Sequence, residues 1–229
     1  MLKIVTVFKT GDRKHTNHRS VFDPIHVLNM RDMCKKHITI PFQFYCLTND
    51  PQLNLLKTEK IPLKYKWPTW WSKFELFNIK GPVLYFDLDI IIRDNIDNVI
   101  NTIDSMCKSN DDLCMLDHRR PSTHHVKYGR KQFGLNSSIM YYKNDMSIMI
   151  KSFLNLKYHE VLSQKKLNHG DQDVIKHFIK KKNVPCNPIT IDNIQWYNGF
   201  LEAPNKNPSI IYFTGSPRPW EQKEVIYPG

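Results

Sequence analysis

Residues Val83-Leu84-Tyr85-Phe86 form an uninterrupted apolar run that follows Gly81-Pro82 and ends in Asp87-Leu88-Asp89. So short a run, bounded by a breaker pair and rich in branched and aromatic side chains, reads as a strand buried on both faces. Strands of that kind belong to sheets covered by helices on each side. With strands alternating with helices through the first half of the chain, this predicts a layered α/β protein with a mainly parallel, mixed sheet. It also predicts where ligands gather, because open α/β sheets bind them beyond the carboxyl ends of their strands. Asp87 and Asp89 stand at such an end, and two carboxylates one residue apart can converge on one hard cation, Mg²⁺ or Mn²⁺. A cation held there would act as a Lewis acid on a departing diphosphate. The plainer alternative is an acidic turn that caps the strand. Charge beside so apolar a run is costly unless paired or metal-bound.

The rest of the chain supplies alternating elements. Lys3 to Phe8 reads as a first strand, and the polar stretch Lys9 to Arg19 as a loop. Asp23-Pro24 opens a helix with Ile25, Leu28 and Met33 as core contacts, and Pro41 stops that segment. Phe42 to Leu47 is a second strand, followed by turn chemistry at Thr48-Asn49-Asp50-Pro51. Trp67 to Phe77 reads as a loop leading into an amphipathic helix with Trp70, Phe74 and Phe77 on one side. Leu113 to Leu116, Ser138 to Tyr142 and Ile210 to Phe213 are later strands. Helices are expected around Ser147 to Leu156 and Gln172 to Lys181. No repeat or linker divides the chain, so residues 1–229 are expected to form a single domain.

Length and charge narrow the function classes. The 229 residues suffice for one sizeable core. The net charge of +11 favours an anionic partner, whether nucleic acid, an acidic membrane surface or a phosphorylated small molecule. With Ala203 the sole alanine, the abundance of Lys, Asn and Ile also reads as a codon bias that inflates the charge. No apolar stretch approaches the roughly 18 residues of a membrane span, and the apolar start is too short for a signal peptide. A cytoplasmic location is the resulting expectation. Five cysteines without a C-x-x-C pair are expected to be reduced and mostly buried.

Five segments, taken together, resemble the GT-A glycosyltransferases related to glycogenin and the bacterial lipopolysaccharide galactosyltransferases (a family 8-like set). They are Trp71 to Phe77, Val83 to Asp89, Phe133 to Met140, Gly170 to Asp173 and Phe213 to Trp220, in that order. The resemblance implies a Rossmann-like GT-A fold and transfer of a sugar from a nucleotide-diphosphate donor, a UDP-sugar above all. The acceptor is left open among glycan, protein and small molecule. It implies that Asp87 and Asp89 hold Mn²⁺ or Mg²⁺, with Asp87 also near the ribose. Val7, Phe8 and Lys9 would border the base, and Lys73 would approach the donor's phosphate or sugar. Asn136, Asp171 and Gln172 would hydrogen-bond the transferred sugar, with Asp171 alternatively a nucleophile. Arg218 stands where the family has Lys and would contact the diphosphate. Arg keeps the charge and can hold two phosphate oxygens. One departure stands out: the family's third metal ligand, a His, is here Tyr212. Retention of anomeric configuration follows from the analogy alone.

Other readings stay open at this level. Trp67, Trp70 and Trp71 are either core residues or stacking surfaces for a sugar or base. Asp171 is a helix N-cap or a site residue, and Asn136 a turn residue or a sugar contact. His15-x-x-His18 reads as a solvated loop, whereas His118, Arg119, Arg120, His124 and His125 either line an acceptor cleft or lie on the surface. Basic residues are dispersed and no RNA or zinc-finger motif is present, so nucleic acid is not the expected partner. The alternative functions are a donor-binding relative with impaired catalysis, suggested by Tyr212, and a basic nucleic-acid-binding protein, suggested by the charge of +11.

Overall fold

A computed structural model describes residues 1–10, 22–54, 58–67, 69–109, 112–118, 134–156, 170–197, 207–213 and 218–221. The first strand, β1 (Leu2–Phe8), pairs in parallel with β2 (Phe42–Thr48) on one side and with β4 (Val83–Phe86) on the other. The short β3 (Glu59–Pro62) extends the sheet beyond β2. On the far side β7 (Gly134–Tyr142) runs antiparallel to both β4 and β6 (Leu113–His118), and β8 (Cys186–Ile189) closes the edge. The strand order is β3-β2-β1-β4-β7-β6-β8, a mixed and mostly parallel sheet of seven strands. A second sheet joins β5 (Ile90–Ile92), β10 (Ile210–Tyr212) and β9 (Ile194–Trp196), with β10 central.

Side-chain alternation explains why the large sheet is covered on both faces. Along β4, Leu84 and Phe86 enter one apolar cluster, while Val83 and Tyr85 enter the other. The first cluster includes Val27, Met30 and Cys34 of α1 (Pro24–His37) together with Val99, Ile100 and Ile103 of α2 (Asp97–Met106). The second packs Trp71, Phe74 and Phe77 from the 3-10 helix Thr69–Asn78 against α3 (Ser147–Leu154) and α4 (Asp171–Lys182). Phe74 and Phe153 stack with centroids 4.1 Å apart at the centre of that layer. The layered α/β architecture expected from the β4 run is present. Among the described residues no helix is long and apolar enough to cross a membrane. All five cysteines are free thiols, four of them buried.

Two local expectations are corrected. The buried face of α1 is His26, Val27, Met30, Met33 and Cys34, whereas Ile25 is 53% exposed and Leu28 only partly covered. The start of the helix fixes this register: the Asp23 backbone N–H donates to His26 Nδ1 at 2.8 Å, which turns His26 inward and Ile25 out. The segment around Trp70 is a 3-10 helix and not an α-helix. Its period of three aligns residues 71, 74 and 77, so Trp71 takes the core place expected of Trp70. Trp67 also packs inward, stacking on Tyr65 and meeting Phe153 edge-on.

Two consequences for stability follow. Gly81 lies so close to the turn after β7 that an added Cβ would sit 2.3 Å from the Lys143 carbonyl oxygen and 2.7 Å from that of Tyr142. Gly81→Ala must displace backbone, and it should cost about 1–3 kcal/mol by urea denaturation. Burial pushes the His26 imidazole below its usual range, against the Asp23 carbonyl and carboxylate that raise it. Folded protein therefore resists a proton that the unfolded chain accepts. The contribution is full above the ordinary histidine pKa of about 6.5 and is lost as pH falls through that value toward the lower folded one. The urea midpoint should drop between about pH 7.5 and 5.5, and drop less in His26→Gln.

Candidate active site

The end of β4 bends at once. Asp87 donates its backbone N–H to the Ser138 carbonyl at 2.9 Å, and Ile90 N–H returns to the Asp87 carbonyl at 3.2 Å. That turn hands the chain from the large sheet to β5 in the small one. It leaves Asp87 partly buried and Asp89 only 4% exposed. The hydroxyl of Tyr85, two residues earlier on the same face of β4, donates to Asp87 Oδ1. Burial and the adjacent Asp87 carboxylate hold the Tyr85 phenol well above its ordinary pKa, so it remains a donor.

Lys73 arrives from the 3-10 helix and is the hub of the site. Its Nζ lies 2.9 Å from Asp87 Oδ1, 2.8 Å from Asp171 Oδ2 and 3.2 Å from Ser137 Oγ. The ammonium also stands 5.2 Å from the centroid of the Tyr85 ring, within range of a cation–π attraction. Burial alone pushes the Lys73 pKa down, but the Asp171 and Asp87 carboxylates more than offset it, and the net shift is upward. The residue is 5% exposed, and the raised pKa keeps its ammonium protonated.

The third wall comes from β7, whose pairing with β6 jumps from Met115↔Met140 to Leu116↔Asn136. This bulge frees the residues between to turn inward. Asn136 Oδ1 accepts the Ser138 backbone N–H at 2.7 Å and so stitches the bulge. Ser137 is presented between Lys73 and Asp171, donating its hydroxyl to Asp171 Oδ2 at 2.6 Å. Asp171 is the first residue of α4 and is not its cap. That place belongs to Gly170, at φ 105°. The positive end of the helix adds to the stabilisation of the carboxylate. Gln172 is partly buried on the same first turn, and Asp173 turns to Lys176 at 3.6 Å.

The C-terminal segment reaches the opposite side of the acid pair. Trp220 packs 4.2 Å from the His26 ring and 5.5 Å from Phe22, which fixes the short 3-10 turn Pro219–Glu221 against α1. Arg218, just before that turn, pairs with Asp89 Oδ2. The other oxygen of Asp89 is buried and has no hydrogen-bond partner among the described residues. In these pairs three carboxylates face two cations, so one negative charge is left over. A buried carboxylate oxygen without a hydrogen bond among the described residues, two positions from a second carboxylate, has the donor chemistry that suits a hard divalent cation. Asp87 and Asp89 therefore fit such an ion with two protein ligands. Among the described residues no group of three His, Cys, Asp or Glu side chains completes a set. The third position expected from the family pattern is Tyr212, opposite Ile90 in the small sheet and buried.

Of the residues expected at the base, Val7 is partly buried and Lys9 partly exposed, whereas the Phe8 ring lies in the core. Phe8 can offer a ligand only its backbone. His15, His18, Arg119, Arg120, His124, His125 and Phe133 lie outside the described residues, as do Thr214 to Pro217. His118 is described only as the backbone end of β6. Sequence reasoning missed Tyr85 and Ser137. Period-two alternation on β4 was the available signal for Tyr85, since it places residues 85 and 87 on one face. Nothing in the sequence marks the bulge that turns Ser137 inward.

No protein-family model and no curated protein matches the sequence. Solved structures match in fold. The glycosyltransferase GlyE of Streptococcus pneumoniae TIGR4 gives a TM-score of 0.61 at 12% identity, over 97% of this chain and 57% of its own. The chain thus spans little more than half of that protein's length. The galactosyltransferase LgtC, solved with donor and acceptor sugar analogs, gives 0.58 at 12% identity over 99% of this chain and 92% of its own. Mouse xyloside xylosyltransferase 1 gives 0.52 at 10% identity over 91% and 96%. The likeness is one of fold, and the fold is that of the GT-A glycosyltransferases.

Proposed function

We propose that the protein is a metal-assisted glycosyltransferase, moving a sugar from a nucleotide-diphosphate donor, a UDP-sugar foremost, to a hydroxyl-bearing acceptor. The observation that carries this reading is the buried Lys73 ammonium bridging Asp87, at the end of β4, and Asp171, at the start of α4. Both acids lie where an open α/β sheet receives ligands, and the bridge joins the diphosphate side of the site to the sugar side. Transfer breaks the bond from the anomeric carbon to the diphosphate oxygen and makes one to the acceptor oxygen, which loses its proton. Negative charge grows on the departing diphosphate, and fixed positive groups aimed there lower the barrier.

Each residue has a part in that scheme. Asp87 and Asp89 would hold Mn²⁺ or Mg²⁺, which when bound supplies Lewis-acid neutralisation of the diphosphate. Arg218 leaves Asp89 for the phosphate oxygens as the donor enters, and Lys73 adds the second positive charge from beneath. Tyr85 holds the Asp87 carboxylate in one orientation. Asp171, itself oriented by Lys73 and Ser137, meets the transferred sugar together with Gln172. Asn136 acts through the bulge it stitches. The backbone of Val7, Phe8 and Lys9 borders the base. One observation favours a second reading: Tyr212, in place of histidine, gives the ion a weaker set of ligands, as in a donor-binding protein with impaired transfer.

With Mn²⁺ and a panel of nucleotide sugars, the protein should hydrolyse one donor slowly and bind UDP in a calorimeter. Joint Asp87→Asn and Asp89→Asn replacement should lower that hydrolysis by about 10²–10³-fold. Absence of both turnover and UDP binding overturns the proposal, and UDP binding without turnover selects the second reading. Tyr85→Phe should fold normally yet weaken Mn²⁺ binding about tenfold in a calorimetric titration with UDP present. An unchanged titration removes Tyr85 from the account.

A further inference from the structure

Trp70 is the aromatic member of the large hydrophobic side chains left exposed among the described residues, at 40%. Its neighbours Trp71 and Phe74 are core residues, so the exposure belongs to this position and not to the segment. The indole is nevertheless held. A Cβ added to Gly170 would lie 3.3 Å from Trp70 Nε1 and 3.6 Å from both Cδ1 and Cε2. Near-equal separations from three consecutive ring atoms place that point over the face of the indole, not off its edge. One ring face is therefore seated on Gly170, where a side chain would intrude and where the φ of 105° already favours glycine.

The position of this ring relates it to the acid cluster. Trp70 and Lys73 are three apart in a 3-10 helix, whose period of three stacks them on one side. Gly170 immediately precedes Asp171, whose carboxylate lies 2.8 Å from Lys73 Nζ. The indole thus comes from the segment that carries Lys73 and is seated on the residue that precedes Asp171, with surface left to solvent. A rigid ring with an apolar face beside a cluster of carboxylate, ammonium and hydroxyl groups matches a pyranose. Such a sugar has an apolar face of C–H bonds and a rim of hydroxyls.

We propose that Trp70, seated on Gly170, is the stacking platform for a pyranose ring in the site. The assignment rests on the glycosyltransfer reading and adds to it the residue that receives a sugar face. The ring can come from the donor's transferred sugar or from a sugar acceptor, and the test separates these sources. Wild type, Trp70→Ala and Trp70→Phe are titrated calorimetrically with UDP, UDP-glucose and UDP-galactose in the presence of Mn²⁺. Saturation-transfer NMR then measures methyl α- and β-glycosides of glucose and galactose on the UDP-bound protein.

Trp70→Ala should leave UDP binding unchanged and weaken a sugar-bearing probe about five- to tenfold, with Trp70→Phe retaining most of the affinity. Loss confined to the UDP-sugars assigns the platform to the donor, and loss confined to the methyl glycosides assigns it to the acceptor. Equal binding of every sugar-bearing probe by wild type and Trp70→Ala overturns the platform and leaves the glycosyltransfer reading intact. Failure of the wild type to bind UDP removes that reading first and the platform with it.

Discussion

The ammonium of Lys73 is the point on which the site turns. It is buried, charged and held by groups from three separate elements: Asp87 after β4, Ser137 in β7 and Asp171 at the start of α4. Removing one partner of such a cluster costs far more than forming the cluster contributes, because the remaining charges stay buried without compensation. The arrangement is therefore self-enforcing. The buried Lys73 ammonium is compensated by the two acids, and the acids are brought toward one another by Lys73. This mutual dependence fixes the spacing between the end of β4 and the N-terminus of α4, which is the spacing a diphospho-sugar would have to bridge.

The same arrangement changes what the cations can offer. Lys73 was expected to approach the donor's phosphate or sugar, and its field is divided between two carboxylates. Arg218 is likewise paired, with Asp89. Among the described residues of this cluster three carboxylates face two cations, despite the chain's +11. Net charge is a property of the whole surface and acts at long range on encounter. Local balance acts at short range, and among the described carboxylates and cations of this cluster it runs opposite to that of the chain. The orphaned oxygen of Asp89 expresses that balance at a single atom.

Much of the scaffold was legible because it rests on short-range rules. The doubly buried β4 run led to the layered sheet, and the acids after it led to the carboxyl end where the cluster lies. The second acid pair, Asp171 and Asp173, was less legible. Its helix-start pattern suits an N-cap as well as a site, and only tertiary packing sets Asp171 against Lys73. Ser137 was invisible because its orientation depends on a bulge in the pairing of β7 with β6, a long-range property of two strands. On α1 the expected Met33 is buried, whereas Ile25 gives way to His26, whose ring accepts the Asp23 backbone N–H, a local side chain-to-backbone bond that residue spacing does not reveal.

The misreading around Trp70 has the most bearing on function. An α-helical period would have put Trp70, Phe74 and Phe77 on one face, merging the site side of the segment with its core side. The tighter 3-10 winding separates them. Trp71, Phe74 and Phe77 descend into the aromatic layer with Phe153 and Phe178, while Trp70 and Lys73 meet the very start of α4 at Gly170 and Asp171. Ten residues thus act as both a core wedge and the carrier of the site's cation. The two roles are coupled, since a shift in the packing of Phe74 on Phe153 would be transmitted along a stiff short helix to the Lys73 ammonium. Precision in the cluster derives from this rigidity: the hub is mounted on an element that the core does not allow to move.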